Sequence, residues 1–381
     1  MNDDSPLADP IWVNTQVSLN EMIREIQGEP ILAVDTESNS LYVYKEQVCL
    51  IQISTPQKDY LIDPLALHDL SGLAPIFANP DQEKIFHASE YDVICLKRDF
   101  GFRFEHLFDT MIAARILGIA QFGLAPLLEE KLGVSVDKRY QRANWGTRPL
   151  SASMLDYARL DSHYLFQLRE ILKQDLIRRD LLTLAEEDFK LACEVRVPIN
   201  GEKNLQCWKV AGNHHLDPMQ AAILHELCVY RDAQAQKLNQ PLFKVFSNEL
   251  LVELTLHPPQ ALDELATYKG MNGRMVRNYG PGLMETLTRG MNRPPLRREP
   301  RVRPNEAFLK RVEVLKDWRK KTAREMNVES DVILPREILE QIAERNPANQ
   351  ADLEEIMHTV PWRYSRFGDS IFTLLKKLEE S

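Results

Sequence analysis

Apolar and polar positions change rhythm along the chain. Short apolar runs come first: ILAVD at 31–35, VCLIQIS at 48–54, DYLID at 59–63 and KIFH at 84–87 are compact, rich in strand formers, and predict strands. From Asp92 the apolar period lengthens. It predicts helices over Asp92–Phe100, Thr110–Gly118 and Ala125–Leu132, and a long one from Ala152 to Leu182. Strands first and helices interleaved later predict an α/β or α+β layer fold over about residues 10–210. Beyond Gly212 the strand signals nearly vanish and helical periodicity takes over.

The second half repeats itself at a constant offset of 88 residues. Leu227 and Leu315, Arg231 and Arg319, Asn239 and Asn327, Leu251 and Leu339, and Leu265 and Leu353 all match without a gap. A gap-free series of this length predicts two copies of one helical module. Two copies do not make a solenoid, so small paired domains are expected. Between them, RGMNRPPLRREPRVRP (289–304) holds six arginines, one glutamate and four prolines. Proline at that density cannot sustain a helix, and the segment reads as an extended basic linker. It is either a solvated spacer or a strap that touches phosphate.

Composition narrows the class. The 381 residues allow two or three folded units, and 44% hydrophobic with 27% charged residues supply real cores. No run approaches the roughly 20 apolar residues of a membrane span. The acidic start, MNDDSPLADP, lacks a secretory layout. Five scattered cysteines fit neither a disulfide framework nor a CxxC zinc site, so a cytoplasmic location is expected. The net charge of −9 argues against broad adhesion to nucleic acid.

Chemistry gathers at three places. Asp35 and Glu37, two residues apart on a strand, project on one side. Paired carboxylates repel unless a cation neutralises them, which suits Mg²⁺ or Mn²⁺. A D-x-E triplet is nonetheless common in a chain with 56 acids. Asp92, in FHASEYDVICL, begins a helix after a strand; alone it is as well explained as a cap. Tyr157 and Asp161 lie four apart, on one helical face leading to Leu165, Leu168 and Leu172. Either they form a hydrogen-bonded core pair, or a cation partners the acid.

Taken in order, these pieces resemble the DEDD exonucleases, and the whole chain is similar to the ribonuclease D family. LIQIS, LIDP, FHASEYD, FDT and NWGTRPLS support the match. The family's histidine variant has His where this chain has Asp156; Tyr157 matches the tyrosine variant, and His163 is incidental. The resemblance implies an α/β, ribonuclease H-like 3′-5′ exonuclease fold, a mixed sheet flanked by helices, followed by two small all-α HRDC-like domains. The expected division is an exonuclease domain over 1–212, an HRDC domain over 213–290, the linker over 291–304 and a second HRDC-like domain over 305–381. Asp35, Glu37, Asp92 and Asp161 would hold two divalent cations, Mg²⁺ or Mn²⁺, serving both ends of an in-line displacement. Tyr157 would orient the attacking water, its phenol being too weak a base at neutral pH.

The implied activity is 3′-5′ hydrolysis of RNA to nucleoside 5′-monophosphates, on RNA with a free 3′ end such as tRNA precursors, by a monomer without membrane attachment. A DNA exonuclease of the same superfamily and a non-catalytic RNA-binding adaptor are the alternatives. Trp145 and Arg148, in the loop before Tyr157, suit base stacking and phosphate binding; packing and a surface ion pair serve equally well. Asp109 reads as a helix cap and His214-His215 as loop residues. Neither helical module is basic overall, so each either orients long RNA or meets a protein partner.

Overall fold

The computed structural model describes residues 7–198, 203–297 and 305–379. Six strands form one mixed sheet: β1 (Ile11–Val13), β2 (Ile31–Ser38), β3 (Val48–Ser54), β4 (Asp59–Ile62), β5 (Glu83–Phe86) and β6 (Leu107–Asp109). Their order is β1-β4-β3-β2-β5-β6. β2 pairs antiparallel with β3 and parallel with β5, so the strand carrying Asp35 and Glu37 lies at the centre. The apolar runs mark the central strands, whereas the three-residue edge strands β1 and β6 are too short to show a period.

Helices cover both faces. α1 (Gln16–Ile26), the short α2 (Ala74–Phe77) and α3 (Glu90–Phe100) share a core with Leu32 and Val34. On the other face, α4 (Thr110–Ile116), α5 (Leu124–Leu132), α6 (Ala152–His163), α7 (Leu165–Arg178) and α8 (Leu182–Glu194) follow one another. Leu127, Leu168 and Leu184 there pack with Ala33 and Ile85. Alternation along β2 thus sends even and odd residues to separate cores.

The long helix expected over 152–182 is broken. α6 stops at His163, and Leu165, Leu168 and Leu172 join a different core from Tyr157 and Ala158. The break sits where side chains leave the helix for the sheet: His163 Nδ1 meets Asp59 Oδ2 at 2.9 Å, and Ser162 Oγ meets Ser54 Oγ at 2.8 Å.

The repeat is structural. α10 (Pro218–Leu238), α11 (Leu242–Val245), α12 (Asn248–Leu256) and α13 (Gly273–Met291) are followed, 88 residues on, by α14 (Glu306–Met326), α15 (Ser330–Ile333), α16 (Arg336–Arg345) and α18 (Pro361–Glu379). The helix α17 (Gln350–Ile356) stands where the first copy has a 3-10 turn, Asp263–Thr267. Matched residues do matched work. Arg231 donates to the Phe246 carbonyl at 3.1 Å and Arg319 to that of Leu334 at 2.9 Å. Asn239 and Asn327 both end the first long helix at positive φ.

Two compact units cut across the linear order. One comprises 1–38, 48–197 and 303–381; the other comprises 39–47 and 198–302. In the second, helix α9 (Lys203–Ala211) buries Cys207 and Ala211 with Leu227 of α10, so the first helical module gathers its core from before residue 213. The 39–47 loop joins it as well, Tyr44 donating to Asp232 at 2.7 Å and Lys244 lying 4.3 Å over the Tyr42 ring. In the first unit, the second module packs on the sheet domain through Arg363, Glu187 and Asp188. Residues 298–304 of the basic linker lie outside the described residues.

All five cysteines are buried and unbridged. Among the described residues, no helix is long and apolar enough to cross a membrane.

Candidate active site

The site forms where β2 ends. Asp35 and Glu37 leave one side of β2 and meet Asp161, which α6 brings across the sheet face; carboxylate oxygens of all three lie within 4.8 Å of one another. All three are partly exposed. Thr36, between the two acids, projects to the opposite side and donates to Asp92 Oδ1 on α3. One dipeptide step on β2 therefore links acids reaching the site from different directions.

α3 begins two residues before Asp92, so Asp92 is its third residue rather than its cap. Its placement depends on Asp109. That carboxylate caps α4, accepting from the amides of Met111 at 2.8 Å and Ile112 at 3.1 Å, and also accepts from Ala88 at 3.1 Å and Ser89 at 2.7 Å. The capping expected of Asp109 is present, and the same side chain pins the start of α3. Ala88 takes the left-handed φ of 61° that lets the chain turn there.

Electrostatics show what the cluster lacks. Burial, then Asp161, holds the Asp35 carboxyl well above the ordinary range. Glu37 is pushed up to about 10 by burial and by Asp35, Asp161 and Asp92. Asp92 is raised by burial and Asp35, against the hydrogen bond from Thr36. Asp161 rises to about 7 through burial, opposed by the hydrogen bond it accepts from Tyr157. Carboxyls that raise one another need positive charge to ionise together. Gln52, opposite Asp35 in the antiparallel pair, donates to Asp35 Oδ2 at 3.3 Å, while its own buried Oε1 has no donor among the described residues. Hard oxygen donors in this arrangement fit a divalent cation.

Tyr157 donates to Asp161 and its phenol is pushed above its ordinary value by burial and that acid. It is no base near neutrality. It can fix a hydrogen-bonded partner in place.

The substrate-contact reading of Trp145 and Arg148 is corrected. Trp145 is 1% exposed and packs against Tyr157 with ring centroids 6.1 Å apart, leaving no face for a base. Arg148 grips Asp63 through Nε and Nη2, both at 2.7 Å, and donates to the carbonyls of Cys49 and Trp145. Its fork is already filled. Nor is His163 idle: with Asp59, Ser54 and Ser162 it ties the end of α6, next to Asp161, to β3 and β4. Sequence reading also passed over Gln52 and Tyr140. Antiparallel register would have paired Gln52 with Asp35; no local signal marks Tyr140. His214 and His215 lie in a loop, as expected.

The chain matches the 3′-5′ exonuclease family model over residues 10–177 and the HRDC domain model twice, over 220–287 and 308–375. It is 34% identical over 268 residues to the exosome complex exonuclease RRP6 of Saccharomyces cerevisiae, covering 66% of this chain and 36% of that protein. Across that protein, two RRP6-like proteins of Arabidopsis thaliana and an exosome complex component 10 homolog of Caenorhabditis elegans, the chain spans between 29% and 50% of their length. Ribonuclease D of Pseudomonas paraeruginosa is 28% identical over 379 residues, 96% of this chain and 97% of that protein. The crystal structure of Escherichia coli RNase D has the same fold, with a TM-score of 0.71 at 23% identity over 97% of this chain and 99% of that one. One exonuclease domain and two HRDC domains, matched end to end by a bacterial ribonuclease D, place the chain in the ribonuclease D family.

Proposed function

We propose that the chain is a divalent-metal-dependent 3′-5′ exoribonuclease that removes nucleoside 5′-monophosphates from RNA 3′ ends, tRNA precursors among its substrates. The observation that carries this is the convergence of Asp35, Glu37 and Asp161 within 4.8 Å, with Tyr157 donating to Asp161. Asp35, Glu37 and Asp161 hold the cations, Mg²⁺ or Mn²⁺, and Asp92 completes the set directly or through water. Two such ions, when bound, supply an activated hydroxide and neutralise the departing oxyanion. The chain's own contribution is placement: Thr36 and Asp109 fix Asp92, Gln52 steadies Asp35, and Tyr157 orients the attacking water. The name of the Escherichia coli relative, an exoribonuclease involved in structured RNA processing, supports RNA over DNA.

The test is degradation of matched RNA and DNA strands carrying a 5′ label, with Mg²⁺, Mn²⁺ or chelator. Stepwise shortening of the RNA, lost with chelator and with Asp161→Asn, is expected. Preferential loss of the DNA strand would favour the DNA exonuclease, and a wild-type rate from Asp161→Asn would remove the acid cluster from the chemistry.

A further inference from the structure

Tyr157 packs against two aromatic rings of one segment. Residues 134–151 run from the end of α5 to the cap of α6, and two of their aromatic rings close on the phenol. The Tyr140 ring meets it edge-on with centroids 5.8 Å apart, and the Trp145 ring lies tilted at 6.1 Å. Each ring is itself anchored. Tyr140 Oη lies 2.8 Å from Ser153 Oγ, one turn before Tyr157 on the same helix. Behind Trp145, Arg148 donates to its carbonyl at 2.7 Å while gripping Asp63 at the end of β4. The wall thus runs from the sheet, through Arg148 and Trp145, to the phenol.

A tyrosine hydroxyl lies on the axis of its ring, so ring flips leave it in place. Only rotation about χ1 moves it, and the two rings packed against the phenol restrict that rotation. Trp145 carries a cost that plain packing would avoid: its buried Nε1 has no acceptor among the described residues, and phenylalanine would leave no such group. The larger indole spans from Cys49 and Leu61 to Tyr157 within one cluster.

We propose that Tyr140 and Trp145 are positioning residues that set the aim of the Tyr157 hydroxyl, making the 134–151 segment part of the hydrolytic machinery. This rests on the water-orienting role of Tyr157. Misplacement of a reacting group by about 1 Å can cost on the order of 10²-fold, so a loosened wall is expected to act on turnover. If the rings act through Tyr157, RNA affinity is spared: Trp145 is buried, and Tyr140 meets the Tyr157 ring edge-on.

The experiment measures kcat and KM with Mg²⁺ on a short unstructured oligoribonucleotide. It compares wild type, Tyr140→Leu, Trp145→Phe, Tyr157→Phe and the double variant Tyr140→Leu/Tyr157→Phe. Tyr140→Leu is expected to lower kcat about tenfold with KM within about twofold, and the double variant to be no slower than Tyr157→Phe alone. Calorimetric Mg²⁺ binding should be unchanged, separating a lost aim from a damaged acid cluster. Penalties that multiply in the double variant would overturn the proposal, as would a raised KM with kcat intact. If Tyr140→Leu does not fold, Tyr140→Phe and Ser153→Ala, which remove only the anchoring hydrogen bond, give the same comparison. A slow Tyr157→Phe beside a fully active Tyr140→Leu would sink the wall alone. A fully active Tyr157→Phe would sink the role of Tyr157, and the wall with it.

Discussion

Arg363, wholly buried in the second helical module, donates to Glu187 of α8 at 3.0 Å across the join with the exonuclease domain. Its fork also reaches Asp188 Oδ2 at 2.9 Å and the Val332 carbonyl at 2.8 Å, and the Trp362 amide donates to Glu187. Removing one partner of such a cluster strands the others. Arg363→Met is expected to lower the unfolding free energy by about 3–5 kcal/mol in urea titration. Adding Glu187→Gln and Asp188→Asn should return most of it, because the stranded charges go. A loss under about 1 kcal/mol would mean that this cluster does not hold the module in place.

A second contact at the same join gives an independent check. Gly118 has φ +69°, and a Cβ there would lie 2.1 Å from the Asn327 carbonyl oxygen. Gly133 has φ +68° with nothing within 4 Å of its Cβ position. Alanine at either position bears the same left-handed strain, about 1–2 kcal/mol. Only Gly118→Ala must also push the second module away. Faster amide exchange in α14 and α15 is expected for Gly118→Ala and not for Gly133→Ala; equal exchange in the two would show that the join tolerates the intrusion.

The two copies of the helical module were legible because an offset of 88 needs no knowledge of packing. That Asp35 and Glu37 share a side was legible too, since strand alternation is a local rule; that Asp161 joins them was implied by the family resemblance and by no local period. What escaped was set by partners far along the chain. The α6–α7 break follows from His163 meeting Asp59, 104 residues away. The fork of Arg148 is filled by Asp63, 85 residues away, so a side chain suited to phosphate was already in use. No period along the chain announces that loop 39–47 packs with Asp232, or that a residue numbered 363 is buried against residue 187.

The tie beneath Asp161 should matter for cation affinity. Asp59 accepts from Ser54 at 2.7 Å and meets His163 at 2.9 Å, while Ser54 meets Ser162 at 2.8 Å. Asp59 touches no acid of the cluster; it fixes the turn of α6 that presents Asp161. Asp59→Ala is expected to weaken Mg²⁺ binding by about 10–100-fold, the usual range for groups that orient ligands. Titration calorimetry reads this without substrate. Unchanged affinity would mean that α6 holds Asp161 by its backbone alone.

Burial of the acids, together with their repulsion, should appear as a pH-dependent difference between wild type and Asp161→Asn. The Glu37 and Asp161 carboxyls stand at about 10 and about 7, against ordinary values of 4.5 and 3.8. The folded chain therefore keeps protons that the unfolded chain has released. The stability this provides is full below about pH 4 and is lost as pH rises, through about 7 for Asp161 and about 10 for Glu37. Asp161→Asn removes one repelling charge, so in chelator its melting temperature should exceed that of wild type, with a gap wider at pH 8 than at pH 5. For a unit of this size each kcal/mol relieved is about 2–4 °C. Mg²⁺ reverses the ranking: it should raise the wild-type melting point, by an amount that grows with its concentration over Kd, and leave Asp161→Asn nearly unmoved. A gap that shrinks between pH 5 and pH 8 would mean that neither burial nor repulsion raises the Asp161 carboxyl in the folded chain, and a variant stabilised by Mg²⁺ as strongly as wild type would mean that Asp161 holds no cation.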